Sequence, residues 1–214
     1  MNYKLKQSDI IFVKTCIHIL LLYFLVNPFY LAIIDELGGD PVKAITHHTG
    51  MGALNLLLIT LAISPFAAWS RIKKINKFRR LLGLYAFAYA LSHVLCFLLF
   101  EVQFDILFFI EEVVLRPYIS VGMVAFLIIL SLALSSTNYA RIKMGNLWQR
   151  LHNLIYLAAI LVAIHFFWSV KLNVVEPIIY GIVLVILLII RRRKLGGIWS
   201  CLLYTSPSPR DSRK

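Results

Sequence analysis

Three histidines stand inside strongly apolar segments of this chain. His152 and His165 belong to the segment LWQRLHNLIYLAAILVAIHFFWSVK (residues 147–171), and His93 belongs to YALSHVLCF (residues 89–97). An imidazole in hydrocarbon needs a polar partner, because an ionisable group is costly in that setting. Such a histidine can ligate a metal ion, relay a proton or hydrogen-bond to a neighbouring helix. The depths of the three residues help to decide among these uses.

The chain is more apolar than a soluble domain. Of its 214 residues, 60% are hydrophobic and 15% are charged, whereas soluble domains are roughly 45–50% apolar. Six stretches approach the length of about 20 residues that a helix needs to cross a bilayer: 11–34, 50–69, 81–100, 117–136, 148–168 and 174–191. The first is too long for a signal peptide and lacks a small-residue cleavage site. The sequence predicts an all-α membrane protein, a bundle of six transmembrane helices.

The charged residues fall on two sides of this predicted bundle. One side carries most of the cations, namely Lys4, Lys6, the run RIKKINKFRR (residues 71–80), Arg141, Lys143 and RRRK (residues 191–194). The other carries the carboxylates Asp35, Glu36, Asp40, Glu101, Asp105, Glu111 and Glu112. The net charge of +12 therefore lies in short clusters between apolar runs, not on a nucleic-acid-binding face. By the positive-inside rule, both termini are predicted to be cytoplasmic.

The composition also divides the chain into three parts. Residues 1–10 form a predicted cytoplasmic N-terminus, and residues 11–194 form the transmembrane domain. Residues 195–214 are rich in Ser and Pro and lack helical periodicity, which indicates a disordered tail or sequence foreign to the native protein. Cys16, Cys96 and Cys201 have no metal-binding or redox spacing, and the first two are expected to be small buried hydrophobes.

The histidine depths favour a haem. At about 1.5 Å per residue, His152 lies about 6 Å into its helix and His165 about 25 Å, while His93 lies about 18 Å into the third helix, which runs the same way. His93 and His165 can therefore face one another in the outer half of the bilayer. Two imidazoles from two helices in an apolar setting are typical axial ligands of a haem iron.

Other uses of these histidines stay open. Any one of them could hydrogen-bond to a neighbouring helix. Zinc is less attractive, since no Cys, Asp or Glu stands at a matching depth, and proton relay lacks buried carboxylates. His165 follows His152 by thirteen positions, which places the two side chains about 140° apart on an ideal helix. The fifth helix must therefore be contacted on two sides or must bend.

The histidine on the third helix and the His-x12-His pair on the fifth resemble the transmembrane domain of ferric reductases and NADPH oxidases. Further segments resemble the MsrQ family of haem-binding membrane subunits: DPVKAITHHTG (40–50), RRLLGL (79–84), RPYISVG (116–122), the helix-five segment and PIIYG (177–181). The resemblance covers about residues 9–193. It implies a ferric reductase-like bundle in the bacterial inner membrane.

The resemblance also implies a function. A non-catalytic b-type cytochrome subunit would pass electrons from the quinone pool, or from a cytosolic flavin reductase, to a periplasmic molybdopterin methionine sulfoxide reductase. FMN is a further cofactor associated with the family. Carried over by position, His93 and His165 ligate the iron of an outer haem b, and His152 is a candidate iron ligand near the inner face. The oxidases have a second histidine on helix three where this chain has Arg79 and Arg80, which puts an inner haem in question.

A few residues have less certain roles. His47 and His48 stand at the outer start of helix two, where either could line a quinol pocket, contact a haem propionate or cap the interface; His47 is favoured. Arg79 and Arg80 could neutralise a flavin phosphate or a propionate, or could simply anchor a cytoplasmic loop. No glycine fingerprint for a nucleotide follows helix six, so an external electron donor is expected. The rival function is a haem-free transporter or scaffold with structural or proton-handling histidines.

Overall fold

The computed structural model describes residues 6–170 and 174–191. Lys4, Lys171, the cations at 192–194, and the tail at 195–214 lie outside these ranges. Within them the chain is helical and contains no β-strand. The α-helices are α1 (Gln7–Ile33), α2 (Pro41–Trp69), α3 (Arg79–Cys96), α4 (Ile106–Leu115), α5 (Pro117–Leu134), α6 (Asn138–Met144), α7 (Asn146–Asn153), α8 (Ile155–Ser169) and α9 (Val175–Ile190). A 3₁₀ turn (Lys73–Phe78) precedes α3 and a π-helical turn (Phe97–Glu101) follows it.

The prediction of an all-helical membrane protein is confirmed. Five helical stretches of the described chain are long and apolar enough to cross a bilayer: Gln7–Ile33, Pro41–Trp69, Lys73–Glu101, Pro117–Leu134 and Asn146–Ser169. The sixth predicted span corresponds to α9, which is apolar but has 16 residues. Six spans therefore remain a prediction.

Local chemistry explains where the helices differ from their predicted bounds. α2 begins at Pro41, well before residue 50, because the Asp40 side chain accepts a hydrogen bond from the Lys43 amide at 3.0 Å and proline suits the first helical position. Two short helices, α4 and α6, were not predicted at all. Asp105 and Thr137 cap them, accepting hydrogen bonds from backbone amides three residues later.

The core of the bundle consists of four helices in two pairs. α2 packs along α3, and α5 packs along α8, with α9 lying against α8. One apolar cluster joins the pairs through Leu54, Leu57, Leu58 and Leu61 of α2, Ala159 and Phe166 of α8, and Leu184 of α9. Small residues such as Ala158 and Ala159 are fully buried, which allows close helix approach without a large side chain between the backbones.

α1 lies at the edge of these four helices and is held by polar contacts. His18 Nδ1 lies 2.9 Å from the Tyr85 hydroxyl, which supports helix-to-helix hydrogen bonding as the role of His18. The Tyr89 hydroxyl donates to the Leu21 carbonyl at 3.0 Å. Cys96 is buried as expected, but Cys16 is exposed because most of α1 faces outward. The expectation for Cys16 was therefore wrong.

Candidate functional site

His93 on α3 and His165 on α8 face one another. Their ring centroids lie 6.2 Å apart, and the ring planes are nearly perpendicular, at 84°. Both side chains are partly buried inside the bundle. The prediction that these two histidines, from two different helices, face one another is confirmed. The two imidazoles lie together in an apolar setting.

Each of these imidazoles is held by a backbone carbonyl of a neighbouring helix. His93 Nδ1 lies 2.9 Å from the Thr46 carbonyl oxygen, and His165 Nδ1 lies 2.7 Å from the Tyr118 carbonyl oxygen. A carbonyl oxygen can only accept, so Nδ1 must be the protonated nitrogen in both rings. The lone pair is then on Nε2. This is the arrangement by which proteins orient a histidine that ligates a metal.

Glycines make room for both rings. A Cβ atom added at Gly122 would lie 2.6 Å from His165 Nδ1, and one added at Gly50 would lie 3.0 Å from His93 Nδ1. Each glycine is one helical turn after the carbonyl that holds the same ring, since Gly50 follows Thr46 by four residues and Gly122 follows Tyr118 by four. The missing side chains allow each imidazole to lie directly against the helix that orients it.

The two halves of the site repeat along the chain. The carbonyl, the glycine and the histidine of the α2–α3 pair recur 72 residues later in the α5–α8 pair, from 46 to 118, from 50 to 122 and from 93 to 165. The two helix pairs therefore present their histidines in the same way, one from each side. Such an arrangement suits a ligand whose central atom is bound from both sides by two identical groups.

The spacing of the two rings is compatible with a haem iron held between them. Metal–imidazole bonds of about 2.0 Å on each side put the two ligating nitrogens about 4 Å apart, and each ring centre lies just behind its nitrogen. The observed centroid separation of 6.2 Å agrees with that spacing. The donor set also agrees, because two neutral imidazoles are a common axial pair for b-type haem, whereas a structural zinc site needs four ligands.

His152 lies away from this pair, near the opposite end of the bundle. Its Nε2 atom is 3.1 Å from the Ser135 hydroxyl, and its ring stacks on Trp148 with centroids 3.9 Å apart. Trp148 also donates to the Ser135 carbonyl at 2.9 Å, so both stacked rings are held at Ser135. The helix is interrupted at Leu154, between α7 and α8. His152 and His165 therefore lie on either side of this interruption, and each has its own partner on α5 or at its end.

A cavity of about 790 Å³ opens beside His152. The end of the cavity nearer the histidine pair is formed by Leu57, Ala86 and Ile129. These residues lie seven positions along the chain from Gly50, His93 and Gly122, respectively. At about 1.5 Å per residue the cavity reaches to about 10 Å from the histidine pair. The opposite end of the cavity is polar. It is lined by Asn76, Arg79, Arg80, Asn138, Arg141, Gln149, Asn153 and Arg191. Arg79 is half-buried, whereas Arg80 is exposed.

The two histidines at the start of α2 separate in the structure. His48 Nε2 lies 2.8 Å from the Phe24 carbonyl oxygen and so ties α2 to α1. His47 is exposed and directly follows Thr46, whose carbonyl oxygen holds His93.

The start of α5, which positions the Tyr118 carbonyl, is fixed by polar contacts outside the spans. The pKa of the Arg116 guanidinium is raised because it hydrogen-bonds to the Tyr118 hydroxyl and lies beside the Glu112 carboxylate, at 2.8 Å. The Ser120 hydroxyl donates to the Val113 carbonyl. These contacts join α4 to α5, so the unpredicted α4 supports the helix turn that holds His165.

Sequence reasoning found the histidines and missed the residues that orient them. Gly50 and Gly122 close two of the segments noted above, ITHHTG and YISVG, and the repeat of a glycine at the same distance before each histidine was an available signal. The Thr46 and Tyr118 carbonyls carry no side-chain signal, because any residue provides a backbone oxygen. Arg191 was counted only among the cations of the predicted cytoplasmic side, yet in the structure it lines the cavity.

Comparison with known proteins gives consistent matches. Residues 49–163 match the sequence profile of the ferric reductase like transmembrane component family. A protein-methionine-sulfoxide reductase heme-binding subunit MsrQ from Salmonella arizonae is 40% identical over 192 residues, covering 89% of this chain and 96% of the relative. The subunits of the same name from Salmonella paratyphi B and Salmonella heidelberg are each 39% identical over 197 residues, covering 92% of this chain and 99% of each relative.

Proposed function

Because the chain belongs to the MsrQ family of heme-binding subunits, within the ferric reductase-like transmembrane family, we propose that it carries electrons across the bacterial inner membrane to a protein-methionine-sulfoxide reductase. The chain itself would perform no reaction on methionine sulfoxide. Its task is to hold haem b, to keep its surroundings dry and to connect donors on one face with an acceptor on the other.

The observation that carries this proposal is the His93–His165 pair. Two backbone carbonyls fix both Nδ1–H groups, two glycines admit both rings, and the ring centroids are 6.2 Å apart. These residues would hold the haem iron through their Nε2 atoms. Haem b bound there supplies one-electron transfer, with a potential set by its axial ligands and the polarity of its surroundings.

Electrons would arrive at the end of the bundle that carries the cations. By the positive-inside rule this end would be cytoplasmic. With α9 as a sixth span, α1 would begin and α9 would end on that side. The cavity beside His152 suits a donor's cofactor, either a quinol or FMN of a cytosolic flavin reductase. Arg79, and Arg80 at the rim, would attract the phosphate of FMN or a haem propionate, and His152 would contact the donor's cofactor.

Electrons would leave at the opposite end, which carries the carboxylates. His93 and His165 lie nearer this end, with Glu101 following α3 in the chain and Glu111 and Glu112 on α4. His47 lies at the same end and would contact a haem propionate or a quinol. A periplasmic molybdopterin reductase, as the other half of a heterodimer, would dock on these acidic segments through complementary charge, which mainly accelerates encounter.

Reconstituted vesicles test the proposal. The haem is reduced with a quinol or with reduced flavin, and the oxidised molybdopterin reductase is then offered from one side only. Reoxidation of the haem should require the reductase on the side that carries Glu111. A preparation without haem from haem-replete cells would contradict the proposal and favour the rival transporter or scaffold. Reoxidation only from the side that carries Arg141 would contradict the direction.

A further inference from the structure

Arg191 occupies an unusual position for an arginine at a helix end. It follows the last residue of α9, yet only 6% of its surface is exposed, and it lines the cavity beside His152. Its Nη1 atom donates to the Tyr156 hydroxyl at 2.8 Å, and its guanidinium lies 5.7 Å from the centre of the same ring. An arginine that served only as a membrane anchor would direct its charged group toward water.

The rest of the Arg191 guanidinium has no partner within the described chain. Both Nε and Nη2 are buried without a hydrogen bond, and the same is true of Arg79 Nε on α3. Arg79 and Arg191 both line this cavity, one from α3 and the other from the end of α9. Three buried nitrogen atoms that could donate hydrogen bonds therefore belong to two like charges at one end of the cavity.

No carboxylate among the described residues neutralises these charges at the cavity. None of its lining residues is acidic. Asp9, the acidic residue nearest the start of the chain, accepts a hydrogen bond from the Lys6 amide at 2.8 Å and caps α1. The partial negative charge at the C-terminus of α9 favours a cation there, but it provides no acceptor for Nε or Nη2. Burying a charge without a counter-charge and with unsatisfied donors is costly.

We infer that Arg191 and Arg79 form a buried oxyanion site that binds the phosphate monoester of a ligand lying in the cavity. Three donor nitrogens match the three terminal oxygens of such a group, and arginine binds phosphate in a bidentate manner. A phosphate monoester carries about two negative charges near neutral pH, which offsets two guanidinium charges. A single carboxylate or a phosphodiester, with one negative charge, would leave one of them uncompensated, and the haem content of the Arg191 variant distinguishes a pair of haem propionates from a phosphate.

This inference deepens the proposed electron-input site and rests on the proposed function only for the redox role of the ligand. The assignment differs from the sequence-based expectation, which paired Arg79 with Arg80. Arg80 is exposed and remains at the rim, whereas Arg191 reaches the same cavity from the far end of the chain. The site would fix the phosphate, and the space between α3, α5 and α7 would hold the remainder of the ligand.

Paired flavins test the inference directly. The affinity of full-length protein in nanodiscs of phosphatidylcholine is measured for FMN and for riboflavin, which lacks the phosphate. FMN should bind at least about tenfold more tightly, since charge-assisted hydrogen bonds are at stake. Arg191→Gln and Arg79→Gln should each remove most of that preference, and Arg191→Lys should restore part of it. Arg150→Gln, an exposed arginine of α7 outside the cavity, should keep it.

Further arms distinguish the sources of the phosphate and the failure of each proposal. If nanodiscs with phosphatidic acid suppress FMN binding in the wild type but not riboflavin binding, the site also accepts a lipid phosphate monoester, which supports it. Equal binding of FMN and riboflavin, or an unchanged preference in Arg191→Gln, would overturn the inference. A second result would also overturn the inference. If the wild type shows no preference for FMN and Arg191→Gln lowers the haem content, the two arginines bind the carboxylates of haem propionates and not a phosphate. The haem spectrum of the same wild-type sample reports separately on the proposed function.

Discussion

The Nδ1 atom of His165 lies 2.7 Å from the backbone carbonyl oxygen of Tyr118. The relationship of His93 to Thr46 is the same, at 2.9 Å, and in both cases the two residues are 47 positions apart in the sequence. One helix of each pair thus supplies a carbonyl and a glycine, and the other supplies the histidine. The predictions below concern the parts of this arrangement one at a time.

Replacing Gly122 by alanine should disturb the histidine pair without removing either histidine. The new Cβ would lie 2.6 Å from His165 Nδ1, so the ring or the helix must move. We expect a cost of about 1–3 kcal/mol, typical of inserting a methyl group into a packed interior, and a weaker or partly high-spin haem spectrum. Gly181→Ala on α9 is the matched control, because no atom lies within 4 Å of that added Cβ. A normal spectrum in Gly122→Ala would show that the close approach of ring and helix is unimportant.

His152→Ala should spare the haem held by His93 and His165. His152 belongs to α7, where it contacts Ser135 and Trp148 and not the histidine pair. The expected change is confined to the donor side, as slower reduction of the haem by quinol or reduced flavin. Haem content and reduction rate measured on one preparation separate the two effects. Loss of all haem in this variant alone would place the ligand pair further inward.

His48→Ala should loosen α1 and leave the haem in place. The variant loses the hydrogen bond of His48 Nε2 to the Phe24 carbonyl, at 2.8 Å. Interhelical hydrogen bonds in membranes contribute about 0.6–2 kcal/mol, so a small fall in the thermal unfolding temperature is expected. The absorption spectrum should be that of the wild type. Because this variant removes a histidine of the bundle that is outside the proposed ligand pair, it is also the control for the ligand variants.

The reaction with the periplasmic partner should depend on salt. Docking through Glu111 and its acidic neighbours would be steered by charge, and salt screens exposed charges beyond about 8 Å at physiological ionic strength. The rate of haem reoxidation by the reductase should fall several-fold between low and high salt, and Glu111→Gln should reduce this dependence. Arg150→Gln on the opposite end should behave as the wild type. A rate independent of salt in all three proteins would exclude electrostatic docking on this face.

The sequence was sufficient to predict a membrane protein, an all-α fold and the facing histidine pair. These features depend on the length of the apolar segments and on the rise per residue of a helix. Depths of about 18 and 25 Å in parallel helices placed His93 and His165 at comparable levels, and the structure brings them together. The start of α2 was missed because capping by Asp40 operates outside the apolar window. α4 was missed because its ten residues are too few for a span.

The polar surroundings of the histidines were harder to predict. A backbone carbonyl partner depends on how two helices pack, which no side-chain pattern encodes. Arg191 illustrates the same limit, since its position beside RRK in the sequence is typical of a loop anchor. Its burial follows from the way α9 lies against α8, where Tyr156 is within reach of its guanidinium.

The most direct test of the account is whether His93 and His165 hold the haem as a pair. The absorption spectrum of purified wild-type protein should show the sharp reduced bands of low-spin haem b, and His93→Gly and His165→Gly should each lose them because the iron keeps one axial ligand. Added imidazole should restore the bands in both variants, since it can replace a missing ligand but cannot repair a misfolded bundle. Retention of the full low-spin spectrum by either variant without imidazole would contradict the assignment.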